Sequence, residues 1–173
     1  MKIAATLLAA VLLLAGKYTN VSPSPRHSAG ETDSIYNIKI PDGYRDWRLI
    51  SVAHEEGTLN DLRAILGNDI AVEAYRKGTL PFPDGAIIAR LSWDYVSSDE
   101  NNKAFGRRQS FVAGHPKNNQ FIVKDSKRYA LTGGWGFAQF NDGESVNVAV
   151  QATCFPCHES VQGRDYVFTQ YAR

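Results

Sequence analysis

Alternating apolar and polar residues predict β-strands through the middle of the chain. The clearest pattern spans residues 86–95, where Ile87 begins one apolar face and Arg90 lies on the other face. Shorter β-rich runs predict strands at 47–53, 109–113, 121–124 and 135–140. A turn at His115 and Pro116 is expected to separate the run at 109–113 from the run at 121–124. The pattern therefore predicts a mainly antiparallel sheet.

Helical periodicity is less frequent. It predicts a helix over Asp69–Lys77, with Asp69 as its capping residue and Gly78 at its end. The run at 62–66 is too short to distinguish a helix from a strand, whereas 81–85 predicts a turn and 99–103 a polar loop. A short helix at 146–152 is expected to lead into the last segment. Together these elements predict a single α+β domain over residues 38–173.

The first 37 residues differ in character from the rest of the chain. Lys2 is followed by an apolar and small-residue run to Gly16, which has the length of a signal-peptide core and is too short to span a bilayer. We predict a signal peptide at 1–16, with a cleavage site that small-residue rules leave open as far as about residue 29. Residues 17–37 predict a flexible leader. No cysteine stands directly behind the apolar run, so a lipid anchor is not expected, and we predict no stable membrane anchor.

Composition narrows the range of partners. The 19 basic and 18 acidic side chains nearly cancel, so no strong field favours nucleic acid or an anionic membrane. Hydrophobic residues at 43% and charged residues at 21% are typical of a globular domain. We therefore expect a protein that binds neither nucleic acid nor a membrane.

The chemistry is concentrated in the run Cys154-Phe155-Pro156-Cys157-His158. A Cys-x-x-Cys-His run is the attachment signal of a c-type haem, in which both thiols form thioether bonds to the porphyrin. The adjacent histidine then ligates the iron. Because the chain contains no other cysteine, we predict one covalent haem c on Cys154 and Cys157, with His158 as axial ligand. Export and haem c attachment together predict a periplasmic location.

Three other interpretations of the cysteines are weaker. A thioredoxin-like pair precedes a crossover and a second strand, but only 15 residues follow His158. A zinc site would need two further ligands, and nothing after the motif supplies them. A disulfide between Cys154 and Cys157 would close a very short loop and add little stability.

The ligand opposite His158 decides which kind of haem protein this is. Met1, the only methionine, lies in the predicted signal peptide, so the mature chain offers no methionine ligand. His54 and His115 remain, in predicted turns where a solvated histidine is more common. Either of them would make a bis-histidine electron-transfer cytochrome. The favoured expectation is an open sixth position, which suits the binding or conversion of small molecules.

Several short motifs occur together along the chain. They are Pro41-x-x-Tyr44-Arg45-x-Trp47, the stretch from Tyr75 through Gly78 and Phe82 to Asp84-Gly85, Val123-Lys124-Asp125, Gly134-Trp135-Gly136-Phe137 and the haem motif. With this order, residues 38–172 resemble the cytochrome P-460 family. The resemblance implies a mainly β, homodimeric periplasmic haem protein with an open distal face. Its members oxidise hydroxylamine or, as cytochromes c′-β, bind nitric oxide.

Two positions depart from the hydroxylamine-oxidising members of this family. Their lysine, which is bonded to a haem meso carbon, aligns with Arg90, whose guanidinium stays protonated and delocalised. A carboxylate that some members place before the haem motif aligns with Ala149, which accepts no proton. Lys77 and Lys124 are other cross-linking candidates, but no spacing favours them. We expect no lysine-type cross-link at residue 90.

Arg90 has two interpretations. Beside an open iron, its guanidinium would donate hydrogen bonds to nitric oxide, nitrite or peroxide. Alternatively, it pairs with a haem propionate or with Asp94 on the same strand face. The basic residues Lys103, Arg107 and Arg108 are expected on a solvated face, and the phenylalanines Phe82, Phe111 and Phe137 line either the pocket or the core.

These features predict a periplasmic mono-haem cytochrome that binds or converts small nitrogen species, such as nitric oxide and hydroxylamine. Haem oxidoreductase chemistry is the favoured enzyme class, with a small gaseous or nitrogenous ligand and a soluble redox partner. The alternatives are a bis-histidine electron-transfer cytochrome and a peroxide-processing haem protein.

Overall fold

The computed structural model describes residues 37–145 and 150–172. Within these ranges, six antiparallel strands form one sheet in which each strand pairs with its neighbours in sequence. The strands are β1 (Arg48–Glu55), β2 (Asp61–Gly67), β3 (Ile87–Ser97), β4 (Phe111–Lys124), β5 (Trp135–Asn141) and β6 (Glu144–Ser145). The helices are α1 (Asp69–Lys77), α2 (Asp99–Phe105) and α3 (Val150–Glu159), with short 3₁₀ turns at Tyr44–Asp46, Ala130–Thr132 and Gln162–Arg164. The predicted α+β fold with a mainly antiparallel sheet is confirmed.

The predicted N-terminal segments lie outside this description. Residues 1–36, which contain the expected signal peptide and nearly all of the expected leader, are not among the described residues, and neither are 146–149. None of the helices in the described ranges has the length and apolar character needed to cross a bilayer.

Strand β4 corrects the predicted turn at His115 and Pro116. Residues 111–124 form one strand, in which Pro116 pairs with Trp93 between two irregularities in register. Proline is tolerated where its missing N–H faces no partner strand. Because β5 pairs only with residues 119–124, the side of Pro116 away from β3 is a free edge of the sheet, where a proline is tolerated.

The structure corrects the prediction for one shorter segment and decides it for another. Residues 99–103 belong to helix α2 instead of a loop, because the Asn101 N–H donates to Ser98 Oγ at 3.3 Å and Gly106 ends the helix in a left-handed conformation. The ambiguous run at 62–66 is part of β2, because β1 and β3 both supply hydrogen-bond partners. The local sequence pattern therefore did not reveal the capping of α2 or the pairing of β2 with β1 and β3.

Helix α1 is capped by Asn68, and the prediction of Asp69 as the cap was wrong by one residue. Asn68 Oδ1 accepts hydrogen bonds from the N–H groups of Ala71 and Ile87, both at 3.0 Å, and its Nδ2 donates to Gly85 O at 2.8 Å. Asp69 instead forms an exposed ion pair with Arg48 at 2.6 Å. The cap therefore joins α1 to the start of β3.

Replacing this cap should destabilise the protein measurably. We expect Asn68→Ala to lower the free energy of unfolding by about 2 kcal/mol, because it removes a helix cap and two further hydrogen bonds. Asp69→Asn, which breaks only the exposed pair, should cost less than about 1 kcal/mol. Urea unfolding followed by circular dichroism measures both changes, and equal effects would contradict the assignment of the cap.

The two faces of the sheet are covered by different parts of the chain. One face, here termed the motif face, is packed by α1 and by Cys154 and Phe155 of α3; its apolar residues are Ile65, Ile88, Ile122 and Phe137. The opposite face carries Leu66, Leu91, Phe121 and Phe140 and is covered by Ile38, Ile40, Tyr44 and Trp47.

The C-terminal segment returns to the first strand. The pairing of β1 with β2 is irregular between Leu49 and Ser51, which is where Ile50 lies. Ile50 is 1% exposed, and its carbonyl accepts a hydrogen bond from the Ala172 N–H at 2.9 Å. The residues after α3 are thereby fixed against the edge of the sheet.

Candidate functional site

Helix α3 contains the whole Cys-x-x-Cys-His run. A short helix was expected only as far as residue 152, whereas α3 extends through the motif to Glu159 and includes Pro156. Cys154 is half-buried and packs against the core, Cys157 is exposed, and both thiols are free. Because residues three apart on a helix are neighbours, the two thiols point to the same side of α3.

His158 is held in one tautomer by its surroundings. Its Nδ1 lies 2.6 Å from the main-chain oxygen of Tyr166, and a carbonyl only accepts, so Nδ1 carries the proton and donates. Its ring packs edge-on against Phe137 and Phe168, with centroids 4.8 and 5.1 Å away. Burial lowers the pKa of His158, although the hydrogen bond to Tyr166 opposes that shift. With the proton on Nδ1, the lone pair of the neutral imidazole is on Nε2, where it can bind a metal.

Arg90 lies on the motif face, as the strand pattern predicted, but its partner is not Asp94. Arg90 Nη2 donates to Asp61 Oδ2 at 2.9 Å, and Arg63 Nε donates to the other oxygen of Asp61 at 2.7 Å. Asp94 instead faces Lys117 at 3.6 Å. The expected pairing of Arg90 with Asp94 was wrong because the strand register brings Asp61 of β2 within reach.

The carboxylate between the two arginines is almost completely buried. Asp61 is 1% exposed, and the side chains of Arg63 and Arg90 are 15% and 17% exposed. Burial and then the Arg63 charge lower the pKa of Arg90, whereas Asp61 raises it. The guanidinium remains a cation, since arginine starts far above neutral pH.

Arg90 keeps one donor without a partner. Its Nε is buried and forms no hydrogen bond within the described part of the chain. Burial raises the pKa of the Cys154 thiol, and the Arg90 charge is among the groups that lower it, so Arg90 and the motif are within electrostatic range. Arg90 therefore presents a cation and one unsatisfied N–H on the face covered by α3.

His54 and His115, the other two histidines among the described residues, lie away from His158. His54 pairs with Leu62 and stacks on Tyr95 at 3.9 Å, which places it on the face opposite the motif face. His115 is exposed on β4, where seven residues at the usual strand rise place it about 23 Å from Ile122. The structure brings neither of them to His158.

The alternative cross-linking lysines are both engaged elsewhere. Lys77 is exposed on α1 and pairs with Glu73 at 3.0 Å. Lys124 is buried and pairs with Asp165 at 2.7 Å. Each of the two amines already has a carboxylate partner, so neither is available for a cross-link at the motif.

The remaining predicted residues fall into two regions. Lys103, Arg107 and Arg108 are exposed around α2, at the far end of the β3–β4 hairpin, with Arg108 lying over Phe111 at 5.3 Å. Phe82 and Phe137 are 4% and 3% exposed in the core of the motif face. Of these phenylalanines, Phe137 contacts His158.

Sequence reasoning missed Asp61, Asp165 and the Tyr166 carbonyl. Asp61 begins a strand whose type was ambiguous, so its side was not assigned. Asp165 is paired with a lysine 41 positions away, and no local pattern encodes such a contact. The Tyr166 contact uses a main-chain oxygen, which side-chain motifs do not reveal.

The helix that carries the two thiols and His158 lies on the sheet face that also carries the partly buried Arg90, and a Cys-x-x-Cys-His run in such a setting suits a haem. The family model described as Cytochrome P460 matches residues 41–169. The chain therefore belongs to the cytochrome P460 family and is a haem protein. A search of the curated proteins finds no match.

The described residues fit the group that this family binds. Nε2 of His158 is a nitrogen donor whose tautomer is already set by the Tyr166 carbonyl. The unsatisfied Nε of Arg90 suits a carboxylate or a small polar ligand, since a buried donor without a partner is costly. The metal-binding nitrogen of His158 and the hydrogen-bond donor of Arg90 both lie on the side of the sheet where the free thiols are found.

Proposed function

We propose that the protein is a periplasmic, mono-haem c-type cytochrome that binds small nitrogen species at an open iron site, with nitric oxide as the main ligand. The observation that carries this proposal is the state of His158. Its Nδ1–H is committed to Tyr166 O at 2.6 Å, which leaves Nε2 as a donor beside Cys154 and Cys157.

Each motif residue has one role in this proposal. Cys154 and Cys157 would hold the haem through thioether bonds, with Cys154 anchored by its half-buried position against the core. His158 would supply a nitrogen ligand to the iron. The haem, when bound, supplies an iron that takes diatomic ligands and exchanges single electrons.

Arg90 is proposed to donate a hydrogen bond to the bound ligand. Its Nη2 is fixed by Asp61 at 2.9 Å, so the guanidinium is rigid, and its Nε is unsatisfied. A preorganised donor of this kind stabilises a polar diatomic or nitrite group without reorganising. Because Asp61 and Glu55 balance Arg63 and Arg90 in one ion-pair cluster, the site selects by hydrogen bonding more than by net charge.

The arginine favours ligand binding over hydroxylamine oxidation. A guanidinium is a poor nucleophile compared with a lysine amine of lowered pKa, and Arg90 is further held by Asp61. Intact-mass measurement should therefore find a haem attached by thioether bonds alone. A further covalent link would favour the oxidase alternative.

The proposal is tested by absorption spectra of the purified protein, oxidised and reduced, with and without nitric oxide. We expect a high-spin ferric spectrum and a rapid spectral change on adding nitric oxide. Arg90→Leu should speed dissociation of the ligand about tenfold, which corresponds to the loss of one hydrogen bond to a charged donor. A low-spin spectrum without added ligand would refute an open site and support a second histidine ligand.

The proposal also covers the cellular location, the redox partner and the oligomeric state of the protein. A signal peptide and a haem c both require export, and a soluble carrier is the proposed electron donor. Family resemblance supports a homodimer. Fractionation of the native host with detection of the haem protein tests the location, and sedimentation of the purified protein tests the dimer.

A further inference from the structure

A buried ion pair lies beneath the C-terminal segment, outside the motif itself. Lys124 Nζ contacts both oxygens of Asp165, at 2.7 and 2.9 Å, and the two side chains are 5% and 8% exposed. Breaking a buried pair of this kind costs several kcal/mol, whereas replacing both members by apolar residues is often neutral. Its presence therefore calls for a reason other than stability.

Both members of the ion pair form further hydrogen bonds with the residues around them. Lys124 also donates to Gly133 O at 3.1 Å and lies over the Trp135 ring at 5.0 Å. Asp165 Oδ2 accepts the Phe82 N–H at 2.8 Å. Asp165 is thus held by Lys124 of β4 and by the main chain of Phe82 in the segment before β3.

The backbone at Asp165 leads directly to His158. Asp165 and Tyr166 both adopt positive φ angles, 52° and 64°. Non-glycine residues rarely occupy this region, and two in succession persist only where the surroundings enforce them. The carbonyl that follows, Tyr166 O, accepts the Nδ1–H of His158 at 2.6 Å. The ion pair and the histidine are therefore linked through two constrained residues.

We propose that Lys124 and Asp165 are positioning residues that hold the Tyr166 carbonyl against His158 and so set the donor strength of the axial imidazole. A short hydrogen bond from Nδ1–H makes Nε2 a stronger donor, which strengthens the iron–nitrogen bond and stabilises ferric iron. This inference rests on the proposed function only in that His158 ligates the iron. It assigns a role to two residues that touch neither the haem motif nor the ligand.

The test compares Asp165→Asn and Lys124→Met in the haem-loaded protein. Asparagine tolerates a positive φ, so Asp165→Asn removes the charge pairing without adding backbone strain. Resonance Raman spectra of the reduced protein should show the iron–histidine stretching band at lower frequency in both variants. The midpoint potential should rise, with a tenfold change in the redox equilibrium equal to about 59 mV for one electron.

Two controls separate positioning from general loss of stability. Asn68→Ala removes the cap of α1, and it should destabilise the fold without moving the band or the potential. Tyr166→Phe should also leave both unchanged, because the contact to His158 comes from the main chain.

A double variant keeps the inference open to refutation if the single variants fold poorly. Lys124→Met combined with Asp165→Asn removes the unpaired ammonium and should regain stability relative to Asp165→Asn, while the band stays shifted. A wild-type band in the folded variants, or a band restored in the double variant, would overturn the positioning role. If the wild-type protein itself has no iron–histidine band, the proposed function fails instead, either at the axial ligand or at the open sixth position.

Discussion

Replacing both motif cysteines, Cys154→Ala and Cys157→Ala, is expected to abolish covalent haem attachment completely. These are the only two thiols in the chain, so no other side chain forms the thioether bonds. The fold should survive, because Cys157 is exposed and Cys154 is only partly buried against the core. The removal of one half-buried sulfur should lower the free energy of unfolding of the apoprotein by about 1 kcal/mol.

Haem staining after denaturing electrophoresis gives the decisive readout, since only covalent haem stays with the chain. The wild-type protein should stain and the double variant should not, while circular dichroism shows the same secondary structure in the double variant and in wild-type protein produced without haem maturation. Pro156→Ala is a useful control because it changes the motif without removing a thiol, and it should still stain. Staining of the double variant would show that the haem is attached elsewhere.

Asp61→Asn is expected to cause a large loss of stability. Asp61 is 1% exposed and receives hydrogen bonds from both Arg63 and Arg90. Without its charge, two poorly exposed guanidinium groups face each other with no carboxylate between them. Removing one partner of a buried ion pair costs about 3–5 kcal/mol, and we expect a loss in that range.

Asp69→Asn is the matched control for this substitution. It makes the same chemical change in another aspartate–arginine pair, which has a shorter contact of 2.6 Å but whose aspartate side chain is 93% exposed. Exposed pairs contribute about 0–1 kcal/mol, so burial alone predicts the difference between the variants. Guanidinium unfolding of the haem-loaded proteins measures it. Similar midpoints for both variants would mean that Asp61 is not a structural partner of the arginines.

The sheet was predictable because its signal is local. The prediction of covalent haem attachment also rests on a local signal, two thiols and a histidine within five residues. Likewise, the alternation along residues 86–95 correctly placed Arg90 opposite Ile87, because the side-chain period of a strand leaves no other choice. Family membership adds the haem to this picture.

The partners of these residues were not predictable from local pattern. Asp61 and Arg90 are 29 positions apart, and their contact depends on the pairing of β2 with β3. Pro116 was expected to end a strand, but the free edge of β4 removes the reason for a break. In each case strand pairing supplied information that single segments lack.

The irregular pairing at Ile50 has a consequence for the order in which the parts of the chain fold. Each strand pairs with the strand before it, so the sheet assembles through short-range encounters as the chain lengthens. The residues beyond the haem motif must instead travel back to the first strand, where the Ile50 carbonyl receives the Ala172 N–H. We therefore expect closure of the fold to be its final, long-range event, and it involves the same stretch of chain that contains the Cys-x-x-Cys-His motif.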